Sequence, residues 1–133
     1  MQASGAADLF LQAYPTMSTA IAQRTAGIRL AYDRLELELR TLTDEITARS
    51  AYHAPLSTDK LEQWLTRSKT IRQRQHRANE AIDELARELN ETTTTDSTDA
   101  FLRELFHPVI DRFVSAAQAF TAAVTTAAAS QRD

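Results

Sequence analysis

The chain has 133 residues, a length that fits one domain, and its 43% hydrophobic and 25% charged residues are those of a folded globular protein. A formal charge of −3 argues against a global basic field for nucleic acid or anionic lipid, and the lack of cysteine excludes disulfides, thiolate metal sites and cysteine nucleophiles. Two glycines and three prolines allow few tight turns, which disfavours a sheet protein, and no apolar run approaches the roughly 18 residues that a membrane span requires.

Met1 to Tyr14 carries Asp8 and no Lys or Arg, so it does not read as a secretion signal. Cytoplasmic residence, free or peripheral at a membrane, is the expectation. Two breaks, His53 to Ser57 and Thr92 to Ser97, divide the remainder into three segments rich in helix-forming residues. The pattern predicts one all-α domain with helices over about 15–52, 58–91 and 98–130, and a short helical turn over about 6–14.

In the first segment Tyr14, Ile21, Ile28, Leu35 and Leu42 recur every seventh residue, and Thr25, Tyr32, Leu39 and Ile46 form a second row beside them. That 3-4 alternation lets helices pack side by side at a shallow angle. Leu30 and Leu37 are read as widening the seam. Pro15 suits the first turn of the helix, where its missing N–H costs nothing.

The second segment opens with Ser57 or Thr58 as cap, and its seam runs Leu61, Trp64, Ser68, Ile71, Gln75, Ala78, Ile82, Leu85 and Leu89. Ser68 and Gln75 stand where Leu would be expected; either a buried hydrogen bond fixes the register there, or the seam is locally open to water. Trp64 is the single tryptophan, a seam anchor or a partner hot spot.

The third segment is expected to open at Ser97 or Thr98 and to run its seam through Leu102, Leu105 or Phe106, Val109, Phe113, Ala116, Phe120, Val124 and Ala127. Pro108 within it predicts a kink or a short break near His107. Beyond Phe113 the segment is rich in Ala and Thr, which permits close approach of a neighbour. Short connections favour antiparallel neighbours, so an elongated up-down-up three-helix bundle with coiled-coil-like seams follows. A core so narrow leaves apolar surface over, for which Leu30, Leu37, Phe101 and Phe106 are the candidates.

The second helix is basic in its first half, with Arg67, Lys69, Arg72, Arg74, His76 and Arg77, and acidic in its second, with Glu80, Asp83, Glu84, Glu88 and Glu91 against Arg87. In an antiparallel hairpin Arg67 to Arg72 would lie beside Glu38, Asp44 and Glu45, giving interhelical surface ion pairs. The alternative functional reading is that the basic stretch Arg67 to Arg77 binds a membrane surface of anionic lipid, an acidic protein surface or nucleic acid. Nucleic acid is disfavoured because no aromatic is interleaved for base stacking.

Glu104-Leu105-Phe106-His107 is one Glu-x-x-His pair, whereas helical di-metal sites need two such pairs and two further carboxylates. No serine is framed by glycines, and Gly5 and Gly27 are isolated, so neither a nucleophile elbow nor a phosphate loop is present. No enzymatic activity, metal or other cofactor is expected. The expected function is a scaffold or adaptor subunit whose partners are other helical proteins or a second copy of the chain.

Residues Ala7 to Asn90 resemble, in pattern, the snapin-like subunits of lysosome-related organelle complexes, the BLOC and BORC type. Asp8-Leu9-Phe10 leads to a helix with Pro15 near its start, Ile28 to Ile46 matches their first long heptad helix, and an Arg-rich helix ending Glu88-Leu89-Asn90 follows. The third segment lies outside the match. The resemblance implies an elongated hetero-oligomeric scaffold on endosomal or lysosomal membranes.

Overall fold

A computed structural model describes residues 15–51, 57–91 and 94–132, with side chains over 19–49, 57–91 and 94–129. The described residues form three helices, α1 (Pro15–Ala51), α2 (Thr58–Asn90) and α3 (Thr95–Arg132). The helical turn expected before Pro15, the end of the first helix at Tyr52, and residues 53–56 and 92–93 of the connections lie outside the described residues.

The chain folds as an all-α three-helix bundle. Arg24 meets Glu88, Glu38 meets Arg74 and Glu45 meets Arg67, so rising numbers on α1 pair with falling numbers on α2 and the two run antiparallel. Tyr32 and Asp33 meet Phe113 and Arg112, midpoint to midpoint. With the short connection after Asn90, α3 runs beside α1 in the same direction. Each helix is about 50–57 Å long at 1.5 Å per residue.

The 3-4 seams form the core. Ile21, Thr25, Ile28, Tyr32, Leu35, Leu39, Leu42 and Ile46 are all buried on α1. They meet Trp64, Ile71, Leu85 and Leu89 of α2 and Phe106, Val109, Phe113 and Phe120 of α3. Each large side chain buried this way is worth about 1.5–3 kcal/mol. Ala116, fully buried, and Ala127 present little bulk, and α1 and α3 approach each other over the greatest length. The α2–α3 approach is the thinnest of the three.

Three expectations change. The third helix starts at Thr95, not at Ser97 or Thr98: Thr94 Oγ1 accepts the Ser97 N–H at 3.2 Å, so the cap falls earlier and Thr98 is buried in the core. Of the kink or short break expected near His107, the break is absent, because α3 continues through Pro108. Pro108 and His107 lie on the exposed side, while Phe106 and Val109 are buried and carry the packing across the lost hydrogen bond. Leu30 and Leu37 do not widen the seam: two residues past Ile28 and Leu35, they sit about 200° around the helix and are 49% and 66% exposed. The α2 cap is Ser57, whose Oγ accepts the Lys60 N–H.

Candidate interaction surfaces

The cations of α2 divide by the neighbour they face. Arg67 reaches Glu45 at 3.4 Å, Arg74 reaches Glu38 at 3.1 Å, and Lys60 stands 4.0 Å from Glu45, all across the α1–α2 boundary. Such exposed pairs contribute about 0–1 kcal/mol each. Asp44 takes no ion pair among the described residues. At the far end Arg24 makes two hydrogen bonds to Glu88, of 2.8 and 2.9 Å. Those bonds raise the Arg24 pKa and hold the Glu88 carboxyl below its usual value.

Lys69, Arg72 and Arg77 are exposed and make no ion pair among the described residues. For Arg72 the cause lies in the facing helix, since α3 carries no charged residue from Val114 to Gln131. Where α2 and α3 stand apart, a groove of about 720 Å³ opens. Leu39, Ile71, Phe113 and Phe120 form its base, Val114 and Gln118 stand on its α3 side, and Arg72 is its one charged lining residue among those described.

A second groove, of about 920 Å³, lies between α1 and α2. Its base is built of Gly27, Ile28, Ala31, Leu35, Ala78 and Ala81, and the Arg24–Glu88 and Glu38–Arg74 pairs span it near either end. Arg34, Arg77 and Glu84 also line it.

The polar middle of the α2 seam has two different solutions. The Ser68 hydroxyl donates back to Leu65 O within its own helix at 3.0 Å, so it satisfies itself and specifies no neighbour. Gln75 is half-buried beside the Tyr32 hydroxyl, which donates to Asn79 Oδ1 and so ties α1 to α2 at one register. Burial raises the Tyr32 pKa, and Gln75 opposes part of that rise.

Of the expected partner-facing apolar residues, Leu30 and Leu37 are on the outer face of α1, but Trp64, Phe101 and Phe106 are not free surface. They are 1–2% exposed and belong to the core, Trp64 on the α2 seam and Phe101 and Phe106 on the inward side of α3. Leu65 and Val114, 46% and 41% exposed, join the outward-facing set without having been expected there. Each directly follows a seam aromatic, Trp64 or Phe113, an offset of about 100° that signals a flank of the seam rather than its centre.

His107 Nδ1 lies 3.1 Å from Asp111 and His76 Nε2 lies 3.6 Å from Glu80, each within one turn of its own helix. Among the described residues no group of three or more His, Cys, Asp or Glu side chains could hold a metal ion. No described helix is long and apolar enough to cross a membrane.

Fold and surfaces together define an elongated three-helix bundle with an α1–α2 and an α2–α3 groove among the described residues. The sequence matches no protein-family model, no curated protein and no solved structure.

Proposed function

We propose that this protein is a non-enzymatic helical scaffold or adaptor subunit, and that the α2–α3 groove receives an amphipathic helix of its partner. One observation carries the reading: an apolar groove lies open beside a cation, Arg72, with no internal partner among the described residues. Lys69, one turn earlier on the same helix, adds a second such cation. A helix offering apolar side chains to Phe113, Phe120 and Val114 and carboxylates to Arg72 and Lys69 meets both demands. This is the helix-in-groove mode of recognition. The resemblance of residues 7–90 to snapin-like subunits, which assemble through long helices, points the same way.

The test is affinity purification from the native cells, with nuclease, washed at low and high salt and read by mass spectrometry. Wild-type protein is compared with Val114→Glu and Arg72→Glu. A stoichiometric helical partner that survives high salt and is lost with Val114→Glu is the expected result. Recovery of salt-labile nucleic acid or lipid-associated material alone overturns the scaffold reading in favour of the basic stretch from Arg67 to Arg77.

A further inference from the structure

The groove between α1 and α2 has an internal symmetry of charge. At the level of Ala31 and Ala81 it is uncharged and lined by small residues. About two helical turns to one side, α1 contributes a cation and α2 an anion, the Arg24–Glu88 pair. The same distance to the other side the signs are exchanged, in Glu38–Arg74. Nearer the centre, Arg77 and Glu84 flank Ala81 on α2, and neither makes an ion pair among the described residues. A half-turn about an axis across the groove at this level exchanges positions of opposite charge.

Gly27 adds a separate observation. Glycine inside a helix costs about 1 kcal/mol relative to alanine. Nothing in this chain requires it, since a Cβ built there meets no atom within 4 Å. The missing side chain makes room only toward the outside of the molecule.

We propose that the α1–α2 face is a homodimer interface, with a second copy docked antiparallel across a twofold axis at Ala31 and Ala81. In that arrangement α1 lies on α1 and α2 on α2. Arg24 then faces Glu38 of the second copy, Arg74 faces its Glu88 and Arg77 faces its Glu84, each contact occurring twice by symmetry. Arg34 falls opposite the second copy's Gly27, where its long side chain finds space. A twofold along the bundle axis lays α1 on the second copy's α2 instead; it keeps Arg24 opposite Glu88 and Glu38 opposite Arg74 but sets Arg34 against Arg77, like charge on like, a contact the antiparallel arrangement avoids. The antiparallel arrangement is therefore selected. The groove runs from Gln23 to Glu38 along α1. Two helices wide, that gives roughly 1,000 Å² buried in total, the lower end for specific interfaces, and predicts a weak, salt-sensitive dimer. This face is distinct from the α2–α3 groove, and the inference does not depend on the scaffold reading.

The experiment is analytical ultracentrifugation of the full chain at low salt, with wild type, Arg77→Glu, Glu84→Arg and an equimolar mixture of the two variants. Wild type is expected to dimerise in the micromolar range and to dissociate as salt rises. Each variant alone sets like charges opposed and weakens the dimer tenfold or more. The mixture restores it, because the carboxylate introduced in one chain then meets the guanidinium introduced in the other. Circular dichroism is expected to show the same helicity throughout, since both positions are exposed. The chain has no cysteine, so Ala31→Cys gives a single thiol that a short bismaleimide should join across the axis, whereas Leu37→Cys should remain unjoined. A wild type that stays monomeric at several hundred micromolar overturns the proposal. So does a dimer indifferent to both variants, or a mixture that fails to recover. None of these outcomes touches the partner purification, which reads the other groove.

Discussion

The Tyr32 hydroxyl is buried at 0% exposure and donates to Asn79 Oδ1, while its ring meets Phe113 edge-on at 5.6 Å and 81°. One side chain thus joins all three helices. Tyr32→Phe should cost about 0.5–1.5 kcal/mol, the worth of the hydrogen bond, because the exposed Asn79 remains solvated. The pH dependence has a definite sign. Burial raises the folded-state pKa of Tyr32 above its ordinary value of 10.0, so its contribution is complete below pH 10 and is lost as pH rises through the folded pKa. Urea titrations between pH 8 and 11 should show alkaline destabilisation in wild type that is smaller in Tyr32→Phe. Equal slopes would mean that the hydroxyl is not desolvated. Glu88 has the opposite sign: Arg24 lowers its pKa, so the stabilisation is present above the ordinary carboxylate range and is lost as pH falls through the lowered value. A carboxyl-carbon NMR titration should place the Glu88 midpoint below 4.5 and move it upward in Arg24→Ala.

At the scale of the element, two residues sit against helix propensity without a packing reason inside the chain. Pro108 interrupts the hydrogen-bond ladder of α3 on its exposed side. Pro108→Ala should stabilise the protein by about 1–3 kcal/mol, read as a higher melting temperature. Gly27→Ala, with open space around the added methyl, should add about 0.5–1 kcal/mol when measured at concentrations low enough to keep the chain monomeric. The seams were legible in the sequence because a 3-4 repeat fixes which side of a helix is apolar, and Ile21 to Ile46 are buried as that spacing requires. Element ends were less so: Thr94, Ser97 and Thr98 all have the chemistry of a cap, and the choice depends on which neighbour can bury Thr98 and Phe101. Leu30 and Leu37 illustrate a second limit, since composition marks them as apolar but only the angle from the seam shows that they face outward.

The two grooves were not legible at all, because each depends on the distance between helices rather than on any one helix. Small buried residues such as Ala116 allow α1 and α3 to close together, and α2 is left with a thin boundary to α3. The ion pairs of Arg67 and Arg74 were half visible. The basic stretch faced acids in any antiparallel hairpin, but which cations turn toward α1 and which toward the uncharged end of α3 required the bundle. Opening free energies within one protein follow local burial and contact density. The helix with the thinnest apolar boundary should therefore open first, by a sub-global motion that leaves the α1–α3 pair in place. Native-state hydrogen exchange should then give the α2 amides between Ser68 and Gln75, beside the groove, a lower opening free energy than the α1 amides between Leu35 and Leu42. Uniform protection along both stretches would show that the bundle opens as one unit. A partner helix seated in the α2–α3 groove supplies the missing apolar contacts, so its binding should raise protection selectively in α2. The second copy proposed for the α1–α2 face should instead raise protection in both helices, centred on Ala31 and Ala81. The same measurement made with and without each partner therefore tells the two surfaces apart.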